Sequence, residues 1–262
     1  MLDFVHMSGA GNTFLVADGR DEIATLPPGA VRSIIEQHPR HDGALIEGVL
    51  ILRSIAERTV TADFYNPDGS YGMMCGNGAR CSVRYACDHG AHRGVDIALL
   101  LNGVSYDAIC HDDQTVSVTF PPPLDERAYI VGELANVDIP VYYVNVNSDH
   151  VVIDGPRDAQ RPVVALLRHH AAFPRGTNVS MVELEATDVL RIATFERGVE
   201  AVTGACGTGA ISACIAWWRS GRCSDHVVVI PPSQRPLTVV LHHSNARLTA
   251  CTLRGDALYD NT

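Results

Sequence analysis

A five-residue phrase occurs twice in this chain, as Cys75-Gly76-Asn77-Gly78-Ala79 and as Cys206-Gly207-Thr208-Gly209-Ala210. Cys206 follows Cys75 by half the length of the 262-residue chain. Each phrase opens an apolar stretch that reads as a helix, and each stretch meets a glycine at the same offset, Gly90 and Gly221. A cysteine, a glycine-rich turn and a helix repeated at matching offsets point to two similar halves. Each half then presents one thiol at a helix start.

Composition narrows what those thiols can serve. Apolar residues make up 46% of the chain, enough for a sizeable core. No run of 18 apolar residues occurs, so no membrane segment is expected. The N-terminus lacks a basic flank followed by an apolar stretch, so no secretory signal is expected and a cytoplasmic location is. The formal net charge is −10 with scattered basic residues, which argues against a nucleic-acid partner. The twenty basic side chains are all arginine. A pyridoxal phosphate enzyme holds its cofactor as a lysine Schiff base, which this chain cannot form. No cofactor is therefore expected. Eight cysteines occur with no Cys-x-x-Cys pair, so no metal site is expected. Cys81, Cys87 and Cys214 fall inside the two helices and read as packing residues.

In chain order, residues 2–17 read as a hairpin around Ser8-Gly9-Ala10-Gly11-Asn12. Residues 29–38 read as a helix, and 44–52 and 59–65 as strands, before the turn Asn66-Pro67-Asp68-Gly69. The first phrase opens a helix over 76–89. Strands follow at 95–101, 104–110 and 116–120. Pro121-Pro122-Pro123 is the clearest boundary. The second half repeats the order: strands at 141–146 and 151–154, a helix at 158–170, strands at 178–184 and 189–195, the second phrase with its helix, and strands at 227–230, 237–242 and 248–253. The last strand is expected to return to the first half. The domains are then 1–120 with about 248–262, and 121–247.

A helix N-terminus carries roughly half a positive charge and exposed amide donors. It favours thiolate over thiol and binds an anion such as a carboxylate. Two such ends on one carboxylate place a thiol on either side of the adjacent carbon. One thiolate removes the α-proton while the opposite thiol supplies another, which inverts the centre. Amino acid racemisation without a cofactor is thus the chemistry that the repeated phrase supports.

At this point the chain resembles the diaminopimelate epimerases, over nearly its whole length. The resemblance rests on Gly9-x-Gly11-Asn12-x-Phe14, Asn66-Pro67-Asp68-Gly69-Ser70, Met74-Cys75-Gly76-Asn77-Gly78-Ala79-Arg80-Cys81, Gly176-Thr177-Asn178-Val179, Glu196-Arg197-Gly198 and Ala205-Cys206-Gly207-Thr208-Gly209. It implies an α/β (α+β) fold of two pseudo-symmetric halves, each a curved, mostly antiparallel sheet wrapped around a central helix, with the active site in the cleft between them. It implies Cys75 and Cys206 as the acid/base pair, and Gly76, Asn77, Gly207 and Thr208 as the cradle of the reacting carboxylate. It implies Asn12, Asn66, Asn178, Glu196 and Arg197 at the distal end of the substrate, with Ser148 and His150 at the pocket. It implies a small-molecule amino acid substrate, LL-diaminopimelate converted to meso-diaminopimelate, and a homodimer, since family members are often dimers.

The chain departs from the family in places. Asn147-Ser148-Asp149-His150 stands where the family has Gly-Asn-Pro-His or Gly-Ser-Pro-His. Of the Glu-Thr pair common before the second cysteine only Thr203 remains, and Glu47 stands where aspartate is usual. These changes leave a racemase of another amino acid, histidine for example, as an alternative. A thiol redox protein and a catalytically inert amino-acid-binding protein are the alternatives from other classes.

Overall fold

The structure, a computed structural model, describes residues 2–20, 25–41, 43, 45–72 and 74–260. The chain forms two compact units, Met1–Thr119 with Arg254–Thr262, and Phe120–Leu253. The first contains β1 (Phe4–Gly9), β2 (Asn12–Asp18), α1 (Pro28–Gln37), β3 (Ile46–Ala56), β4 (Thr59–Tyr65), α2 (Gly76–Asp88), β5 (Asp96–Leu101), β6 (Val104–Cys110) and β7 (Thr115–Phe120). The second contains β8 (Asp125–Tyr129), β9 (Val141–Asn145), β10 (Asp149–Asp154), α3 (Pro162–Arg168), β11 (Asn178–Ala186), β12 (Val189–Glu196), β13 (Ala201–Val202), α4 (Gly207–Arg219), β14 (His226–Ile230), β15 (Leu237–Ser244) and most of β16 (Arg247–Asp256). A short β17 (Leu258–Tyr259) ends the chain in the first unit.

The two units repeat one pairing scheme. In the first, β1 and β2 are antiparallel, β2 and β3 parallel, β3 and β4 antiparallel, β4 and β5 parallel, and β5 and β6 antiparallel. In the second, β9 and β10, β10 and β11, β11 and β12, β12 and β14, and β14 and β15 follow the same succession. A parallel pair cannot be closed by a tight turn and needs a crossover. The four helices supply these crossovers, α1 and α2 in the first unit, α3 and α4 in the second. The antiparallel pairs close through short turns. At Asn102-Gly103 both residues have positive φ, 49° and 81°, as a two-residue hairpin requires.

α2 and α4 are the centres of their units. In α4 every residue from Gly207 to Trp217 is buried, and in α2 ten of the first eleven, Arg84 being the exception. A helix buried around nearly its whole circumference must be enclosed by other elements. The sheet does this by wrapping: α4 packs against β9, β10, β11, β12 and β15, and α2 against β1 through β6. Each large side chain so buried, such as Ile211 or Ile215, contributes about 1.5–3 kcal/mol.

The structure departs from expectation at several places. α3 begins at Pro162, not at 158, because proline suits the first helical position and cannot sit further in. Ala44, where a strand was expected to begin, lies outside the described residues; β3 starts at Ile46. β8, β13 and β17 are additional. β8 reads Asp-Glu-Arg-Ala-Tyr and has no apolar alternation; its backbone pairing with β9 defines it. The C-terminal return begins at Arg254, whose Nε donates to Thr115 Oγ1 at 2.8 Å, and continues as β17 pairs with β1.

The third residue of each helix is glycine, but for different reasons. A Cβ on Gly209 would come within 2.6 Å of Thr194 Oγ1 and 3.2 Å of Ser180 Oγ, whereas one on Gly78 would meet nothing closer than 3.5 Å. Gly209→Ala should destabilise the protein by about 1–3 kcal/mol through overpacking. Gly78→Ala should be neutral or gain up to about 1 kcal/mol from helix propensity. Denaturant titration of the two variants checks this, and equal costs would refute it.

Candidate active site

Cys75 and Cys206 are the N-caps of α2 and α4. Their backbones coincide: φ −116° and ψ 109° for Cys75, φ −118° and ψ 110° for Cys206. The first helical bonds are donated by Ala79 to the Cys75 carbonyl and by Ala210 to the Cys206 carbonyl. The N–H groups of Gly76 and Asn77, and of Gly207 and Thr208, precede those bonds and point out of the helix end. Each cysteine thus lies beside the leading amides of a helix end.

The two surroundings differ. Cys75 Sγ accepts from Gly78 N at 3.4 Å. Below that turn lies Arg80, a fully buried cation. Its Nη2 donates to Asn77 Oδ1 at 2.8 Å, its Nη1 to the Gly76 carbonyl at 3.3 Å, and its Nε to the Asp256 carbonyl at 3.2 Å. Asp256 Oδ1 in turn accepts from Ala10 N at 2.7 Å. Asn12, buried at the start of β2, donates to Glu47 Oε2 at 2.7 Å. Asn66 caps its own turn, donating through Nδ2 to Ser70 Oγ at 2.9 Å.

Cys206 sits on a buried polar network. Its Sγ is 3.5 Å from Thr208 Oγ1, which is 3.0 Å from His150 Nε2. The parallel register of β10 and β11 sets His150 opposite Asn178, and the antiparallel register of β11 and β12 sets Ser180 opposite Thr194. Asn178 Nδ2 donates to Ser148 Oγ at 3.1 Å and to the Asp149 carbonyl at 2.9 Å, and lies 3.5 Å from His150 Nε2. With Asn178 Nδ2 facing Nε2, that nitrogen accepts, and the Nδ1 side donates to Ser180 Oγ at 3.4 Å. Ser180 Oγ and Thr194 Oγ1 are 3.1 Å apart. Burial pushes the His150 pKa down to about 3, so the ring is neutral and orients Thr208 rather than moving protons.

Glu196 completes this side. Its residue surface is partly accessible, but the carboxyl is enclosed, and that burial raises its pKa. Hydrogen bonds from the Thr203 hydroxyl and the Cys206 thiol act in the opposite direction. Arg197 N donates to Asn178 Oδ1 at 2.8 Å. Its Nη1 donates to the carbonyls of Arg175 and Gly176 at 2.7 and 3.2 Å and lies 3.8 Å from Asp149 Oδ2.

Cys206, Thr208, His150, Asn178, Ser148, Glu196 and Arg197 therefore form one connected group in the second unit. In the first, the Cys75 turn, Gly76 and Asn77 are joined through Arg80, while Asn12 and Asn66 bond elsewhere. Sequence reasoning overlooked Ser180 and Thr194. Nothing local marked them, since β11 and β12 carry other polar residues and the pair meets only through strand register. It also gave no part to Arg80, although the residue stands inside the first phrase's motif, or to Asp256.

The fold is that of the proline racemase and phenazine-biosynthesis-type proteins. The chain superposes on a hydroxyproline epimerase from Agrobacterium vitis, solved with bound trans-4-hydroxy-L-proline, with a TM-score of 0.68 and 15% identity, covering 99% of this chain and 91% of that one. It superposes on a PhzF-family phenazine biosynthesis protein from Bacillus anthracis with a TM-score of 0.72 and 11% identity, covering 98% and 96%. Sequence narrows the class. The family profile described as diaminopimelate epimerase matches residues 4–123. The diaminopimelate epimerase of Chlorobaculum tepidum is 33% identical over 227 residues, covering 85% of this chain and 86% of that protein. That of Aquifex aeolicus is 31% identical over 259 residues, covering 91% and 89%. The chain belongs to the diaminopimelate epimerase family and is an isomerase. Among the described residues no helix is long and apolar enough to cross a membrane.

The His150 environment has a measurable consequence for stability. The folded ring takes up a proton only near pH 3, whereas an unfolded histidine does so at about 6.5. Stability is therefore complete above about pH 6.5 and falls as pH drops toward 3. In His150→Gln the acid limb of a plot of denaturation midpoint against pH should flatten. An unchanged limb would place the acid sensitivity elsewhere.

Proposed function

We propose that this protein epimerises LL-diaminopimelate to meso-diaminopimelate by a two-base mechanism with Cys75 and Cys206 as the exchanging acid and base, serving lysine and peptidoglycan synthesis. One observation carries this reading: both cysteines cap buried helices with the same backbone geometry, each beside amide donors that precede the first helical bond. The mechanism requires both thiols to reach one α-carbon from opposite faces. As the α-proton leaves, charge develops on the carboxylate. The N–H groups of Gly76, Asn77, Gly207 and Thr208 are suited to stabilise it.

The thiol that delivers a proton must do so as readily as the other removes one. On the Cys206 side, the Glu196 carboxyl and the Thr208 hydroxyl are the neighbours that orient the thiol and its proton. Neutral His150 holds Thr208 from behind. For the distal end, Arg197 keeps Nε and Nη2 without a partner among the described residues, one edge of a guanidinium of the shape that takes a carboxylate with two parallel bonds. Asn178, bound to the Arg197 backbone, is the adjoining amide.

A second reading keeps the chemistry and changes the substrate to another amino acid such as histidine. It is favoured by the stretch 199–204, which keeps only Thr203 of the Glu-Thr pair common before the second cysteine in the family. Chiral chromatography of products from diaminopimelate, histidine and other amino acids decides between them. LL-diaminopimelate should be converted, and Cys75→Ser and Cys206→Ser should each lose conversion by roughly 10²–10⁴-fold, the usual worth of a positioned acid or base. Histidine turnover with diaminopimelate inert would overturn the substrate assignment. Normal turnover in either variant would overturn the two-thiol mechanism.

A further inference from the structure

Asp149 departs from the family pattern and is also the most heavily engaged carboxylate near the candidate distal site. It is 6% exposed at the start of β10. Oδ1 accepts from Arg175 Nη2 at 2.7 Å, from the Tyr143 hydroxyl at 2.6 Å and from Asn145 Nδ2 at 3.4 Å. Oδ2 accepts from Arg175 Nε at 3.0 Å and faces Arg197 Nη1 at 3.8 Å, beyond hydrogen-bond reach. Burial disfavours the charged carboxyl. The hydrogen bonds from Arg175 and Tyr143 and the charges of Arg175 and Arg197 outweigh burial and hold its pKa below the usual value.

Two features follow from this arrangement. Asp149 Oδ1 is saturated by three donors, while Oδ2, bonded once by Arg175, turns its remaining acceptor capacity toward Arg197 Nη1. The Asp149 charge is already met by a two-point pair with Arg175, so Arg197 is not drawn into a tight pair with it. Arg175 also contributes its carbonyl, and Gly176 the next one, to hold Arg197 Nη1. The Arg175 side chain bonds Asp149 while its backbone bonds Arg197, so the segment between β10 and Arg197 is pinned at both ends. The outcome is an Arg197 whose Nη1 is tethered and whose Nε–Nη2 edge is left for a ligand.

We propose that Asp149, acting through Arg175, is a positioning residue that presents Arg197 to the distal carboxylate of the substrate, an assignment that rests on the diaminopimelate reading. The chemistry at the α-carbon is set by the cysteines and should not depend on this pair. The class of substrate it selects is an amino acid with a second carboxylate at the far end.

The test uses the full-length enzyme with LL-diaminopimelate and separates KM from kcat. Arg175→Gln, at a side chain that is 67% exposed and so poses little risk to folding, should raise KM by roughly three- to fivefold, the upper worth of a partly exposed charge pair. Its kcat should stay within about twofold of the parent. Arg175→Lys should recover only part of the loss, because lysine keeps the charge and loses the fork. Asp149→Asn should raise KM similarly, and the Arg175→Gln/Asp149→Asn double variant should be no worse than the poorer single variant, since both act through one contact. Should Asp149→Asn fail to fold, the two Arg175 variants decide. An unchanged KM in Arg175→Gln, a fall in kcat with KM unmoved, or fully additive losses would each overturn the proposal. Parent enzyme inert toward diaminopimelate would instead overturn the substrate reading, and this assignment with it.

Discussion

A cysteine held extended at the mouth of a buried helix is the constraint on which the rest of each unit depends. A helix end needs its leading amides satisfied, and a buried end cannot leave that to bulk water. In both units the side chain at the cap is a thiol, a weak acceptor, rather than the serine, threonine or aspartate usual at an N-cap. Wrapping the helix in sheet keeps its start in place.

The pairing succession follows from that helix. A thirteen-residue helix serving as a parallel crossover must leave from one strand and return beside it, so the cysteine is delivered at a fixed place after β4 and after β12. Repetition of the scheme gives two thiols with matching backbones. The material beneath them is not repeated. Arg80 supports the first helix end with a buried cation, while His150, Ser180, Thr194 and Thr208 support the second with neutral hydrogen bonds. Two helix ends of equal geometry are thus placed in unequal electrostatic settings.

Much of this was legible along the chain. The repeated phrase and the alternating strands identified the two central helices and the cysteines at their starts, because each is local in sequence. The positions of Asn178, Glu196 and Arg197 came from resemblance rather than periodicity. β8 was illegible because Asp125–Tyr129 carries no apolar pattern; a backbone ladder with β9 holds it. The hydroxyl pair of Ser180 and Thr194 was illegible because two inward-facing polar residues matter only once the register of β11 and β12 brings them together.

The sequence by itself determined that a thiol precedes each of two central helices, since capping geometry and helix burial are set by residues only a few positions apart. Tertiary structure alone decided what each thiol meets. Arg80 reaches Asp256 across 176 residues, and His150 reaches Thr208 across 58. Hydrogen bonds of that range depend on strand register and on which face of a sheet a helix covers. Neither quantity can be read from local spacing, because shifting a strand by one residue turns every side chain on it to the opposite face.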